Sequence, residues 1–268
     1  MSHRSKVVPM KRGEGRDRVL LLPGLGGSVL RLVWVARAYP GPEPVVGLEL
    51  ADGTPSIAEL AAGHLAAAER ELPGDGRWHL VGHCLGATVA MEMAHQLAGS
   101  GQRLGAVVLL EPFLRLGGEL EAEDRRCAAA RLDAAHRLAT LLEGTAEADL
   151  PALGADEAVR RDLAELDLDV ALLRFGGDFA RHALAYIGGA LPAYAAHAPA
   201  PVPAPVHLLL AEDSCGDAVP LVRRLGELTA GATVHRFACA PADVLRQPHA
   251  AAVAARIASL TKAWRPLR

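Results

Sequence analysis

Short, continuous apolar runs alternate with longer stretches of helical spacing through the first part of the chain. Val19–Leu22, Val45–Leu48, Trp78–Val81 and Ala106–Leu110 are such runs, most of them followed by glycine, proline or an acidic residue. A strand buried on both faces of a parallel sheet needs no polar alternation, so these runs predict buried parallel strands. Helical stretches fall between them, from about Val29 to Ala38, from Ser56 to about Leu72 and from Thr88 to Leu97. Ser56 and Glu59 have the spacing of a capping box, which marks the start of the second. Strand and helix in alternation predict an α/β fold with a mostly parallel, doubly wound sheet.

The pattern changes at Phe113. From there to about Ala204, charged and Ala-rich helical segments (Asp124–Leu142, Asp156–Leu173, Phe179–Tyr194) follow one another without a strand. That is too long for a connection within such a sheet and predicts an inserted helical lid over about 113–204. The proline-rich stretch Pro199–Pro205 returns the chain to the sheet. A strand Val206–Ala211, a helix over about Ala218–Thr229, a strand Thr233–Ala238 and a helix from near Pro248 to Lys262 follow. Residues 1–17 are polar and predict a disordered or peripheral N-terminus. No linker divides the rest, so 18–268 reads as one domain, and the start at Met1 favours a free-standing protein.

Composition narrows this picture by exclusion. A net charge of −3, with both signs mixed along 268 residues, offers no electrostatic case for nucleic acid. No apolar run is long enough to span a bilayer and no secretory leader precedes the first strand, so a cytoplasmic protein is expected. Cys84, Cys127, Cys215 and Cys239 are scattered without C-x-x-C spacing, which predicts reduced thiols and no zinc site. No cofactor is expected.

One stretch carries chemistry. The run Trp78–Val81 leads into Gly82-His83-Cys84-Leu85-Gly86, and an Ala/Met-rich helix leaves it. This is the layout of a nucleophile elbow, a turn so tight that only small residues fit beside the nucleophile, here Cys84. The helix behind it points its N-terminus at the nucleophile. A second glycine-rich turn, Pro23-Gly24-Leu25-Gly26-Gly27, follows the first buried strand. It lacks G-K-[ST] and G-x-G-x-x-G spacing, so phosphate binding is the weaker reading and an oxyanion loop the stronger one. The backbone N–H groups of Gly24, Leu25 and Leu85 are the candidate donors.

With these features the chain resembles the α/β-hydrolase thioesterases of polyketide and non-ribosomal peptide synthases, over about Asp17 to Leu260. The likeness is carried by the Pro-Gly-x-Gly-Gly loop and the run Trp78-His79-Leu80-Val81-Gly82-His83-Cys84-Leu85-Gly86. The helix Ala90–Leu97, the lid and the return Leu191-Pro192-Ala193-Tyr194 match as well. The resemblance implies an acyl or peptidyl carrier protein as partner, presenting its substrate on phosphopantetheine. It also implies a triad acid after the strand that follows the elbow, where Glu111 stands; Asp213, after the next strand, is the alternative.

Two departures from the family matter. The usual serine is Cys84. Laid without gaps on Val234–Leu245, the family's last loop places its catalytic histidine at Pro241, which has no proton-accepting side chain. His249 and His235 remain as candidate bases, and no imidazole is expected within about 3–3.5 Å of the Cys84 sulfur. A serine in this setting would be nearly inert, but a thiol ionises near pH 8.5 and is helped by a helix N-terminus. Water is a poor acceptor without general-base help, so the pair of changes points to acyl transfer or cyclising release more than to simple hydrolysis. A small-molecule ester hydrolase or acyltransferase on the same fold, and a catalytically decayed carrier- or partner-binding relative, are the competing readings. Acyl loading from a carrier separates the three.

Overall fold

The computed structural model describes residues 5–50, 56–72, 74–100, 104–114, 116, 121–166, 168–174, 176–214 and 218–264. Seven strands form one sheet in the order β1-β3-β2-β4-β5-β6-β7. They are β1 (Ser5–Lys11), β2 (Arg18–Leu22), β3 (Val45–Leu50), β4 (Trp78–His83), β5 (Leu104–Leu110), β6 (Val206–Ala211) and β7 (Ala232–Phe237). Only β1 is antiparallel to its neighbour; every other pairing is parallel, as the apolar runs predict.

Of the N-terminal segment, expected to be disordered or peripheral, Ser5–Lys11 form β1, at the periphery of the sheet as its edge strand. Ser5 pairs with Leu50 and Val8 with Gly47, and the register slips between Pro9 and Lys11. The reason is local. An edge strand buries alternate residues only, here Ser5 and Val7, and tolerates proline where a ladder N–H is dispensable. Lysines at 6 and 11 keep the open edge polar, and Lys11 Nζ also donates to the Gly41 carbonyl at 2.7 Å.

The interior strands alternate between two apolar layers. Leu20, Leu80, Val107 and Leu208 face the layer built by α2 (Ile57–Glu71) and α3 (Leu85–Ser100). Leu21, Val81, Val108 and Leu209 face the opposite layer, built by α1 (Val33–Ala38) and α9 (His249–Ala263). Helix α8 (Ala218–Leu228) packs beside β7. Helix α2 opens with the predicted capping box: Ser56 accepts from the Glu59 N–H while Glu59 accepts from the Ser56 N–H. The expected helix 29–38 is split, a 3-10 turn Val29–Leu32 preceding α1. Buried His79 interrupts the β4–β5 ladder, its Nδ1 accepting from the Ala106 N–H at 2.9 Å.

Between β5 and β6, where the sequence predicts a helical lid, stand α4 (Glu121–Glu143), the one-turn α5 (Leu150–Leu153), α6 (Glu157–Glu165) and α7 (Gly177–Ala196). Arg137 of α4 grips Asp162 of α6 through two hydrogen bonds of 2.9 and 2.7 Å. That guanidinium holds the Asp162 carboxyl below its ordinary range. Phe113, leaving β5, stacks on Tyr194 of α7 with centroids 4.1 Å apart, and the Arg131 guanidinium lies 4.0 Å over the Phe113 ring. The lid is thus keyed to the segment that directly follows the sheet's central strands.

Candidate active site

Cys84 stands between the end of β4 and the first residue of α3, at φ 50. A non-glycine residue held in this left-handed region costs on the order of 1–3 kcal/mol, which the surrounding turn must offset. Close packing shows what imposes it. A Cβ on Gly82 would meet the Gly86 carbonyl oxygen at 2.2 Å, and a Cβ on Gly86 would meet the carbonyl oxygens of Leu22 and Pro23 at 2.4 and 2.5 Å. Both glycines of the motif are therefore steric requirements of the elbow.

The elbow is tied to the β5 end on both sides of Glu111. The Cys84 N–H donates to the Leu110 carbonyl at 3.1 Å, and the Phe113 N–H donates to the Cys84 carbonyl at 3.0 Å. Thr88 Oγ1 closes the same loop by donating to the Phe113 carbonyl at 2.7 Å. Glu111 itself has φ 42 and donates its N–H to Leu209 of β6. Its carboxylate accepts from the Ala211 N–H and from the Ser214 hydroxyl, the latter at 2.8 and 2.7 Å from the two oxygens. Cys84 and Glu111 thus occupy neighbouring strand ends, each in the same unusual backbone conformation.

The glycine-rich loop after β2 lies against the nucleophile. A Cβ at Gly24 would sit 3.1 Å from Cys84 Cβ and 3.1 Å from His83 Nδ1. The Gly27 N–H donates to the Gly24 carbonyl at 3.0 Å, closing the turn, and Gly27 has φ 68. Leu85 begins α3, so its N–H lacks an intrahelical acceptor. Among the described residues, neither Leu25 nor Leu85 spends its N–H on a loop hydrogen bond. Beside this loop a mostly apolar cavity opens, lined by Leu25, Leu30, Leu168, Leu172 and Phe179, and it reaches His83 of the elbow. Asp169 and Arg246 are 2.6 Å apart at its edge, joining the lid to the segment before α9.

His235 sits in β7, where its ring packs 5.7 Å from that of His207, and burial lowers its imidazole below the ordinary range. His249 is the half-buried first residue of α9. Among the described residues, neither makes a hydrogen bond or ion pair to Cys84 or Glu111. Asp213 is exposed in the turn after β6. Pro241 opens a short helical turn, Pro241–Asp243, beyond β7. Cys239, just before it, is raised by burial and by the carboxylates of Glu111, Asp243, Asp213 and Glu212. This segment therefore passes close to the Glu111 carboxylate. Cys127 is exposed, and Cys215 lies outside the described residues. Among the described residues, no helix is long and apolar enough to cross a membrane, and no group of His, Cys, Asp and Glu is arranged to hold a metal.

Two residues at the site carry no sequence signal. Ser214 is recognisable only from its contact with Glu111, and Tyr186 of α7 only from its contact with Gly27.

Comparison with known proteins places the chain in a family and a fold. The thioesterase domain family model matches residues 17–186, a span that holds the loop after β2, Cys84 and Glu111 and ends before β6. No curated protein matches the chain by sequence. Among solved structures, the wild-type Vlm2 thioesterase domain superposes with a TM-score of 0.64 at 22% identity, covering 95% of this chain and 97% of that one. The NocB thioesterase domain, in covalent complex with a fluorophosphonate nocardicin G analog, gives 0.61 at 21% identity, covering 96% and 98%. A four-domain nonribosomal peptide synthetase bound to AMP and glycine gives 0.63 at 21% identity, covering 98% of this chain and 20% of that one. The mostly parallel seven-stranded sheet with its flanking helices is the α/β-hydrolase fold of these structures.

Proposed function

The chain belongs to the thioesterase domain family, and from that premise we propose that it is an acyl-thioester enzyme of polyketide or non-ribosomal peptide biosynthesis with Cys84 as its covalent nucleophile. The observation that carries this reading is the placement of Cys84 at φ 50 on the elbow, with the Gly24 backbone packed against it. A strained, Gly-flanked thiol under an open row of backbone donors is an expensive arrangement for an inert residue.

In this reading the substrate is an acyl chain carried as a thioester on the phosphopantetheine of a carrier protein. The Cys84 sulfur adds to the carbonyl carbon, and the carbonyl electron pair moves onto oxygen. The N–H groups of Gly24, Leu25 and Leu85 face that oxyanion, where preorganised donors act most strongly. Collapse breaks the bond to the pantetheine sulfur, and the proton lost by Cys84 ends on the departing thiol. The positive end of α3 favours negative charge on Cys84 at the start. Glu111 orients the loops around the nucleophile through Ala211 and Ser214.

Release follows by attack of a second nucleophile on the acyl-enzyme. With proline at position 241 the family's general base is replaced by a residue that cannot accept a proton. An amine, thiol or activated alcohol of the substrate or of an acceptor then competes well with water, so transfer or cyclisation is favoured over hydrolysis. The test is to incubate the protein with an acyl carrier-protein thioester and weigh it intact. The native protein gains the acyl mass and Cys84→Ala does not; a native protein that never gains mass from any carrier thioester would refute the reading.

A further inference from the structure

The lid rests on the glycine loop through two side chains. A Cβ at Gly26 would come within 3.0 Å of Leu168 Cδ2, and one at Gly27 within 3.0 Å of the Tyr186 ring. At the other end of the same turn, Gly24 abuts Cys84. Tyr186 and Cys84 therefore flank one tight turn, Gly24 to Gly27, which holds two of the three proposed backbone donors. The phenol and the Cys84 sulfur also interact electrostatically; burial foremost, and then that neighbour, push the phenol up to about 12. At neutral pH the hydroxyl keeps its proton and can only donate it to a hydrogen bond or accept one.

We propose that Tyr186 is a catalytic residue, whose hydroxyl donates a hydrogen bond to the oxyanion formed when Cys84 adds to the acyl carbonyl. The proposal rests on the reading of Cys84 as nucleophile. No proton is transferred in the step: the new carbon–sulfur bond puts negative charge on the carbonyl oxygen, Tyr186 O–H stabilises it, and collapse returns the charge to the leaving sulfur. The backbone donors belong to the turn after β2 and to the start of α3, whereas this one belongs to α7. The hole is complete only when α7 lies on Gly27, so lid closure and carbonyl activation become one event.

The test compares Tyr186→Phe, which keeps the ring on Gly27, with the native enzyme. Acyl-enzyme formation is timed by intact mass, using whichever acyl pantetheine of a straight-chain series loads the native enzyme fastest. Alkylation of Cys84 by iodoacetamide, located by peptide mapping, is timed in parallel. Acylation is expected to slow on the order of 10- to 100-fold in Tyr186→Phe, as for loss of an oxyanion donor, while alkylation changes little. Acylation of Tyr186→Phe at the native rate, with Cys84→Ala still unable to load, overturns the role of Tyr186 and leaves the nucleophile standing. Loading of Cys84→Ala at the native rate overturns both. A fluorinated tyrosine at 186, whose phenol ionises at lower pH, gives a second readout. Its acylation rate is expected to fall with rising pH where the native rate does not, and superimposable pH profiles would refute the proposal.

Discussion

The Ser214 hydroxyl lies 2.8 and 2.7 Å from the two carboxylate oxygens of Glu111, a residue 103 positions earlier in the chain. With the Ala211 N–H on the same carboxylate, Glu111 joins the end of β5 to the end of β6 and to the turn beyond it. A hydrogen bond to a charged acceptor is worth about 1.5–3 kcal/mol, more than most single contacts at a strand end. Ser214→Ala is expected to lower the melting temperature by several degrees. Glu111→Gln keeps the side chain's shape and its acceptor oxygen while removing its charge. It is expected to cost at least about tenfold in acyl transfer with a smaller loss of stability than Ser214→Ala. Native kcat/KM in Glu111→Gln would reduce Glu111 to a structural anchor.

Cys84 is tested most directly by two substitutions. Cys84→Ala is expected to abolish acyl loading without unfolding the protein, since a small residue is kept in the elbow. Peptide mapping must accompany any thiol label, because Cys127 is exposed and would react as well. Cys84→Ser is expected to be slower than the native enzyme by several orders of magnitude, because a hydroxyl needs a base to become a nucleophile. A serine variant as active as the native protein would mean that a competent base serves the site.

The pH dependence of stability has a separate source in His64 of α2. It is almost wholly buried, its Nδ1 has no hydrogen-bond partner among the described residues, and desolvation lowers its imidazole to about 4. The unfolded chain takes up this proton near pH 6.5, the folded chain only near 4. Between those values the unfolded state binds more protons, so stability falls as pH drops from about 6.5 to about 4 and gains nothing further from His64 above that window. The full loss is on the order of 3 kcal/mol. Urea melts across this range should show it, and His64→Leu should flatten the curve there. A slope unchanged by His64→Leu would assign the acid sensitivity to other groups.

Much of this architecture can be read from local pattern. The four early apolar runs become β2, β3, β4 and β5 because parallel strands buried on both faces leave a continuous signature. Gly82 and Gly86 are legible for the same kind of reason, since a contact of 2.2 Å leaves no room for any other residue. The edge strand β1 is not legible: Lys6, Pro9 and Lys11 look like a polar tail, and their role depends on β3 being there to pair with. Ser214 and Tyr186 are hidden more deeply. Each acts on a residue far away in the chain, and neither stands in a motif; only the folded positions of the β6 turn and of α7 disclose them.

Pro241 offers the sharpest test of how the acyl-enzyme is released. It begins the turn that follows Ala240, and Cys239 two residues before it feels the charge of Glu111. An imidazole at 241 would enter the neighbourhood of the Glu111 carboxylate. Replacing proline here costs only about 0.4–1 kcal/mol through the freedom returned to the unfolded chain. Pro241→His is therefore expected to fold and to speed hydrolysis of the acyl-enzyme on the order of tenfold, a small share of what a well-placed general base supplies. Transfer to an added amine should gain less, because an amine already attacks without help, so the product ratio shifts towards the free acid. The ratio is measured by loading the enzyme with an acyl pantetheine and following free acid and amide over time. An unchanged ratio in Pro241→His would mean that proline at this position does not set the fate of the acyl group.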